Sequence, residues 1–343
     1  MYAGTYTRNG SQGIYVFSFD KSTGQLTLLS STKSVINPSF LAISPDKKYL
    51  YAAEENNPGT VSAFAIHPSN GELSFINSQS SGGSGPCYIS TDRTGKWCFV
   101  ANYSSGSISV LPITHNGSLQ KPIQTIQHDT VLAMKIKDGK PHAHSINMAS
   151  NNKDVFVTDL GTDKIMCYSF DEKSGSLLKS NIPYIKTSDG SGPRHFAFHP
   201  NGKFAYCILE TTSEIVAYKS NHQTLKHLHT ISTLPEDSKE INYCADIHVS
   251  IDGKFLYGSN RGHNSIVIYS INRKTGLLKL VGHQSTIGDF PRNFVIEPGG
   301  NFLLVANQKS DNIQIFKIDK KSGKLSYSNI GVKISMPVCL KFL

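Results

Sequence analysis

The amino-acid sequence predicts an all-β protein: a seven-bladed β-propeller with four antiparallel strands per blade and a last blade closed by both termini. Three observations support this prediction. A strand–turn–strand unit recurs about every fifty residues, further strands follow most copies, and the C-terminus ends on a first strand that the N-terminus can complete. Residues 1–343 are interpreted as one domain.

The clearest copy of the repeating unit runs from Gly192 to Glu210. Aromatic residues alternate with other residues on both sides of Asn201-Gly202, which is typical of two half-buried strands joined by a turn. An Asn-Gly pair suits a tight hairpin turn because such turns need positive φ angles. A hairpin returns to the end at which it began, so Arg194 and Glu210 should lie at the same end of one sheet.

The other internal copies follow the same plan. A third strand follows each hairpin, and most copies then carry a Ser-Gly, Thr-Gly or Asn-Gly turn before an outer strand. Segments 120–141 and 234–241 lack this periodicity and are predicted to be loops, and the first is expected to extend over the channel mouth. The first strands of the six internal copies begin at Pro38, Pro86, Ala143, Pro193, Cys244 and Pro291.

The two ends of the chain supply the seventh blade. The C-terminal segment 336–343 is a lone copy of the first strand, with no second strand after it. The N-terminal segments at Tyr2–Tyr6 and Ile14–Phe19, and the strand that begins near Leu26, provide the three missing strands. A blade built from both termini closes the ring.

Equivalent positions of the repeats should form rings around the central channel, because the first strand of each propeller blade lines it. We call the ring at the start of the first strands the entry ring and the ring at the end of the second strands the exit ring. The two positions are one hairpin apart along the chain, so both rings should face the same end of the channel. Apolar members such as Ala245, Val338 and Leu160 show that charge is not needed there for folding. The entry ring is Ser39, Cys87, His144, Arg194, Ala245, Arg292 and Val338. The exit ring is Glu55, Tyr103, Leu160, Glu210, Arg261, Gln308 and Tyr6.

Charged members of the two rings cluster in blades three to six. His144, Arg194, Glu210, Arg261 and Arg292 should therefore meet at one mouth of the channel and form a small-molecule pocket. The positive excess suits a carboxylate or phosphate ligand, since arginine can bind either through a bidentate fork. A buried ion pair that closes the hairpin is the structural alternative for Arg194 and Glu210.

Composition narrows the possible partners. The chain has 34 Lys and Arg against 25 Asp and Glu, a formal net charge of +9, which fits a small anionic substrate. No basic run is interleaved with stacking aromatics, so we expect no nucleic-acid partner. No apolar run approaches the length of a membrane span, so no membrane partner is expected.

The six cysteines contain no C-x-x-C pair and are interpreted as reduced packing residues. This usage fits a cytoplasmic protein. Because the chain opens inside a repeat element, an exported protein whose leader has been removed is the alternative.

Four motifs together resemble one known family. They are Pro141-His142-Ala143-His144-Ser145, Asp159-Leu160-Gly161-Thr162-Asp163, Gly192-Pro193-Arg194-His195 and Ser259-Asn260-Arg261-Gly262. In combination, and over essentially the whole chain, they look like the lactonase family of seven-bladed propellers, which includes bacterial 6-phosphogluconolactonases and fungal carboxymuconate-lactonising enzymes.

The resemblance implies a catalytic group of His144, Arg194, Glu210 and Arg261. It implies hydrolysis of a sugar lactone, most simply 6-phosphogluconolactone as in the pentose phosphate pathway. Arg194 or Arg261 would stabilise the oxyanion, and Glu210 and His144 would share the proton transfers in an order that the sequence leaves open. Beside these residues we predict substrate-binding roles for His142, His195, Arg292, Tyr103, Gln308 and Glu55, with Arg292 and His195 as candidates for the phosphate.

Three other functions are alternatives. The same four residues would suit cycloisomerisation of a carboxylated muconate. A binding platform without enzymatic activity is disfavoured because the one tryptophan, Trp97, is not part of a Trp-Asp signature. A metal-dependent lactonase would use His142 and His144, but no carboxylate set accompanies them in the sequence, so we expect neither a metal nor another cofactor.

Overall fold

Seven four-stranded antiparallel sheets make up the computed structural model, which describes residues 1–129, 139–221 and 224–343. The prediction of a seven-bladed β-propeller is confirmed. Within the described ranges the regular elements are 28 strands, and no helix is present that could span a membrane.

In blades one to six the strands follow the order of the chain from the channel outward, whereas in blade seven the C-terminal strand lies innermost. Blade one is β4 (Pro38–Ile43), β5 (Tyr49–Glu54), β6 (Thr60–Ile66) and β7 (Leu73–Ser80); blade two is β8 (Pro86–Thr91), β9 (Trp97–Asn102), β10 (Ser107–Pro112) and β11 (Gln124–Gln127); blade three is β12 (Ala143–Met148), β13 (Asp154–Asp159), β14 (Lys164–Asp171) and β15 (Ser176–Lys186). Blade four is β16 (Pro193–Phe198), β17 (Phe204–Leu209), β18 (Glu214–Asn221) and β19 (Thr224–Ser232); blade five is β20 (Tyr243–Val249), β21 (Phe255–Arg261), β22 (Ser265–Ile271) and β23 (Leu278–Ser285). Blade six is β24 (Pro291–Ile296), β25 (Phe302–Asn307), β26 (Asn312–Ile318) and β27 (Leu325–Lys333); blade seven is β28 (Pro337–Lys341), β1 (Tyr2–Thr5), β2 (Ile14–Phe19) and β3 (Leu26–Thr32).

Both termini build blade seven, as the sequence predicted. β28 lies next to the channel and pairs with β1, with Tyr2 opposite Lys341 and Ala3 opposite Leu340. The ring is therefore closed by backbone hydrogen bonds between the two ends of the chain.

The hydrophobic core lies between neighbouring blades. The ring of Phe99 in blade two meets that of Phe170 in blade three edge-on, at 5.1 Å between centroids. The predicted Ser-Gly turns belong to the same contacts: Gly175 has a φ of +74°, and a Cβ at this position would lie 2.2 Å from the Trp97 ring. Glycine satisfies both the turn and the close approach of two blades.

A bulge interrupts the pairing of every first strand with its neighbour. In blade four, Pro193 pairs with Leu209 and His195 with Ile208, so Arg194 has no partner across the ladder. Because a bulge turns a side chain out of the regular alternation, residues at two consecutive positions can both face the channel. The unpaired residues include every member of the entry ring: Ser39, Cys87, His144, Arg194, Ala245, Arg292 and Val338.

Two details differ from the sequence prediction. The turn between β16 and β17 spans residues 199–203, with only Gly202 at positive φ in the Asn-Gly pair, so it is longer than a two-residue hairpin. Residues 124–127, predicted to lie in a loop, form β11, whose short polar sequence lacks the apolar alternation of a buried strand. Residues 130–138, the middle of that predicted loop, lie outside the described residues.

The cysteine interpretation is confirmed. All six side chains are buried free thiols. Burial raises the pKa of each of them, and that of Cys339 reaches about 11, so they are packed as neutral groups.

Candidate active site

The predicted meeting of unlike side chains at one mouth of the channel is confirmed for blades four and five. Arg194 Nε donates to Glu210 Oε2 at 2.8 Å, and Nη2 of Arg261 lies 2.6 Å from the same oxygen. One carboxylate oxygen thus holds two guanidinium groups from neighbouring blades. The structural alternative was a buried ion pair between Arg194 and Glu210 that closes one hairpin. The contact with Arg261 of the next blade goes beyond such a pair.

The two arginines are fixed by backbone carbonyls as well. Arg194 Nη1 donates to the carbonyl oxygen of Ala245 at 2.6 Å. Arg261 donates to the carbonyl oxygens of Tyr243 and Cys244, and its guanidinium lies 5.0 Å from the centroid of the Phe290 ring. Together with the contacts to Glu210, these contacts use two of the three nitrogen atoms of each guanidinium group. Nη2 of Arg194 and Nη1 of Arg261 have no hydrogen bond to the described residues. Each arginine therefore keeps one amine for a ligand.

Glu210 is ionised in this setting. Burial raises the pKa of its carboxyl, but Arg261 and Arg194 lower the pKa more, so the pKa lies below its ordinary value. Its side chain is 21% exposed, and Oε1 makes no hydrogen bond to the described residues. For Arg194, burial and the like charge of Arg261 lower the pKa to about 10, so this side chain stays cationic at neutral pH.

Blade three brings His144 to the same mouth. Its ring meets those of Tyr103 and His195 edge-on, at 5.4 and 5.3 Å between centroids, and Nδ1 lies 3.8 Å from Cys87 Sγ. Burial lowers the pKa of His144 well below its ordinary value, and the positive charges of Arg194 and Arg292 lower it further. The imidazole is therefore neutral at pH 7.

His142 contacts the same tyrosine as His144 does, Tyr103. The His142 and Tyr103 rings stack at 4.3 Å between centroids, and His142 Nδ1 lies 2.9 Å from the Tyr103 carbonyl oxygen. The structure thus brings both histidines against one tyrosine. Within the ranges that it describes, no group of three or more His, Cys, Asp or Glu side chains is arranged to hold a metal ion.

Blades six, seven and one form the opposite side of the mouth. Nη2 of Arg292 lies 3.6 Å from Glu55 Oε2, which also accepts a hydrogen bond of 2.8 Å from the Tyr6 hydroxyl, and Arg292 lies over the Tyr6 ring. Arg292 makes no hydrogen bond to any described residue. Gln308, the neighbouring exit-ring residue, has a buried side-chain oxygen without a hydrogen-bond partner in the structure.

A second layer of side chains lies beneath the entry ring, one residue further along each first strand. We call it the inner ring; its members are Phe40, Tyr88, Ser145, His195, Asp246, Asn293 and Cys339. Phe40 of blade one and Tyr88 of blade two stack at 4.1 Å, and both meet the His195 ring of blade four edge-on. Contacts between blades that are not neighbours mean that these side chains fill the channel below the mouth.

His195 belongs to this inner ring. Its Nδ1 lies 2.7 Å from Asp246 Oδ1, and its Nε2 lies 3.2 Å from Arg194 Nη1. Both ring nitrogens therefore have protein partners, which leaves neither for the phosphate contact suggested from the sequence. Burial and the charge of Arg194 lower the pKa of His195 to about 4, although Asp246 opposes this effect.

Sequence reasoning missed Asp246. It aligned Ala245 with the entry ring and stopped there, whereas the bulge of β20 leaves both Ala245 and Asp246 unpaired and turns the aspartate into the channel. A signal was present, because His195 and Asp246 are the only residues with ionisable acid or imidazole groups at the inner-ring position of the seven repeats.

Other polar residues of the repeats stabilise the fold. Three buried asparagines at the end of second strands donate to carbonyl oxygens that directly follow the outermost strand of the preceding blade. The pairs are Asn102 with Ser81, Asn260 with Thr233 and Asn307 with Thr286. Asp159, at the equivalent position, accepts from the backbone amides of His142 and Thr162. His199 holds a hairpin turn by its contact with the Gly253 carbonyl, far from the mouth along the strand.

Comparison with known proteins gives a consistent result. A family model described as "Lactonase, 7-bladed beta-propeller" matches residues 1–342. A relative from Formosa agariphila named 6-phosphogluconolactonase is 42% identical over 314 residues, 89% of this chain and 88% of the relative. A Bacillus subtilis relative with the same name is 36% identical and covers 100% of this chain and 97% of its own.

A solved structure extends the comparison to three dimensions. The periplasmic gluconolactonase of Pseudomonas aeruginosa superimposes with a TM-score of 0.92 at 32% identity. The match covers 98% of this chain and 96% of that protein.

Proposed function

Because the chain belongs to the lactonase family of seven-bladed β-propellers, we propose that it hydrolyses 6-phospho-glucono-1,5-lactone to 6-phosphogluconate. One observation supports this more than any other. Glu210 Oε2 holds Arg194 and Arg261 side by side while each keeps a free amine, and a neutral imidazole and a third arginine complete the mouth.

The two free amines are suited to the carbonyl oxygen of the lactone. Attack of water on the ring carbonyl carbon places negative charge on that oxygen. Donors already fixed in position stabilise such charge strongly, since they need not reorganise during the reaction. In this assignment Glu210 orients Arg194 and Arg261.

His144 is assigned the proton transfers. A neutral imidazole can accept the proton of the attacking water and then deliver it to the alkoxide that leaves when the ring C–O bond breaks. Arginines that lower the pKa of His144 in the free enzyme are partly neutralised once an anionic substrate binds. Substrate binding thus raises the basicity of His144 when it is needed.

Arg292 is assigned the phosphate. Its guanidinium makes no hydrogen bond to the described residues and is held only by Glu55 at 3.6 Å and by the Tyr6 ring. Burial lowers the pKa of Arg292, but Tyr6 and Glu55 raise it more, so the side chain stays charged. A phosphate oxygen can therefore bind it without displacing an internal hydrogen bond.

The test is direct. The purified protein should open 6-phosphogluconolactone faster than the spontaneous reaction at pH 7, measured by proton release and by formation of 6-phosphogluconate. Glu297→Gln should hydrolyse the lactone as the native protein does and serves as the control for loss of a buried acid, since Glu297 only holds the turn between β24 and β25. No acceleration, or cycloisomerisation of a carboxylated muconate instead, would contradict the proposal.

A further inference from the structure

We propose that Asp246, acting through His195, is a positioning residue that sets the orientation of the Arg194 guanidinium. This inference rests on the proposed function, in which Arg194 contacts the lactone. It concerns a layer of the channel below the residues that meet the substrate.

Asp246 is the most heavily bonded carboxylate of the channel. Oδ1 lies 2.7 Å from His195 Nδ1 and accepts from the Ile247 backbone amide. Oδ2 lies 2.9 Å from His248 Nε2 and accepts from the Asn293 side chain and the Phe294 backbone amide. The carboxylate thus joins blades four, five and six beneath the mouth, and its side chain is only 5% exposed.

The carboxylate also determines which nitrogen of His195 carries the proton. An ionised carboxylate accepts only, so His195 Nδ1 must be the protonated nitrogen. Nε2 then presents its lone pair to Arg194 Nη1 at 3.2 Å. The low pKa of His195, about 4, agrees with a neutral ring in this tautomer.

The orientation of Arg194 follows from that tautomer. Nη1 carries two protons, one directed to the Ala245 carbonyl and the other to His195 Nε2. Nε is bonded to Glu210, so the plane of the guanidinium is fixed at three points. Only Nη2 remains, and it is the amine that the proposed mechanism directs at the oxyanion.

We call the chain of contacts from Asp246 through His195 to Arg194 the relay. Asp246→Asn tests the relay because it changes charge with little change of shape. An amide has one carbonyl oxygen, and three donors surround the Oδ2 position against two at Oδ1. The amide oxygen should face the three donors, which turns the NH₂ group toward His195. His195 would then be protonated on Nε2 and would point an N–H at Arg194.

The expected result has two parts. In ¹⁵N spectra, His195 should be the Nδ1–H tautomer in the native protein and shift to Nε2–H in Asp246→Asn. Lactone hydrolysis should lose about 10- to 100-fold in kcat, the range seen when residues that orient a functional side chain are replaced, with KM changed less than about threefold. Glu297→Gln should change neither.

A second variant separates positioning from a merely structural role. In a His195→Phe background the relay is already broken, so adding Asp246→Asn should lower kcat by less than about twofold. If Asp246 only stabilises the fold, the substitution should have its full effect in both backgrounds, and the inference would be overturned.

The inference and the proposed function fail in different ways. An Nε2–H or doubly protonated His195 in the native protein overturns the relay without any measurement of turnover, even if Asp246→Asn does not fold. Unchanged kcat in a folded Asp246→Asn also overturns it while leaving lactone hydrolysis intact. A native protein that has the Nδ1–H tautomer but opens no lactone instead overturns the proposed function.

Discussion

Tyr6 and Glu55 are joined by a hydrogen bond of 2.8 Å across the junction between the blade that both termini build and the blade that follows it. Glu55 in turn faces Arg292 of blade six. The closure of the ring and the proposed phosphate position therefore share one contact, so a substitution at Glu55 would affect both the fold and the phosphate site.

Glu210→Gln should lower kcat at least about 100-fold, as should Arg194→Ala. Loss of a fixed oxyanion donor has an effect of this size, and the uncharged amide would leave two guanidiniums in contact without a counter-ion. Turnover should be measured beside the far-ultraviolet circular dichroism, which should keep its β spectrum. A folded variant with kcat within threefold of the native value would remove Glu210 from the mechanism.

Arg292→Gln should raise KM for the phosphorylated lactone by about 10- to 100-fold, the loss expected for a hydrogen bond to a charged group. KM for unphosphorylated glucono-1,5-lactone should change little, because that substrate lacks the group that Arg292 would bind. Arg273→Gln, which removes an exposed arginine from an outer turn of blade five, is the control for net charge. Equal effects on both lactones would contradict the phosphate assignment.

Stability should fall as the pH is lowered from 6.5 toward 4. Burial and nearby arginines hold the pKa of His144 well below 6.5 and that of His195 at about 4, whereas unfolded histidines titrate near 6.5. In this window the unfolded chain binds protons that the folded chain does not, so the free energy of unfolding decreases with falling pH.

Glu210 affects the free energy of unfolding at a lower pH than the two histidines do, because its pKa lies below the ordinary glutamate value. Its ionic contribution is present above the ordinary glutamate pKa and is lost only as the pH falls through the lowered value. Urea unfolding at several pH values measures both effects. His144→Phe should flatten the slope between pH 6.5 and 4, and an unchanged slope would show that His144 is not buried as a neutral group.

Gly175→Ala should destabilise the fold more than Gly190→Ala. Both glycines have a φ of +74°, so the backbone strain is matched. A Cβ at Gly175 would lie 2.2 Å from the Trp97 ring, whereas nothing lies within 4 Å of one at Gly190. The difference in free energy of unfolding should be about 1–3 kcal/mol, the range for overpacking. Equal losses would show that the blades can separate at this contact.

The repeat accounts for how much of the site could be predicted. Because the blades are equivalent, one hairpin with Arg194 at its start and Glu210 at its end was enough to place Arg261 and Arg292 at the same mouth. Contacts between blades, by contrast, are not marked by any repeat in the sequence. The link from Asp246 to His195 depends on the width of the bulge in β20, and local sequence does not reveal that width.

Strand β11 shows the same limit in the fold. Its four residues pair with β10 and alternate between partly buried and exposed, but Ile126 is the single apolar residue among them, which is too few to show an alternating pattern. Backbone pairing with a strand already in place is sufficient there, and such pairing leaves little trace in residue type.

The bulge in each first strand has a consequence for how activities can diversify in this architecture. The displaced entry-ring side chains are not used in ladder pairing or in the hydrophobic cores between sheets, so those without contacts to a neighbouring blade can change without loss of backbone pairing. A library that varies only Ser39, Ala245 and Val338, the displaced side chains without an assigned role, would alter substrate preference with the least risk to folding.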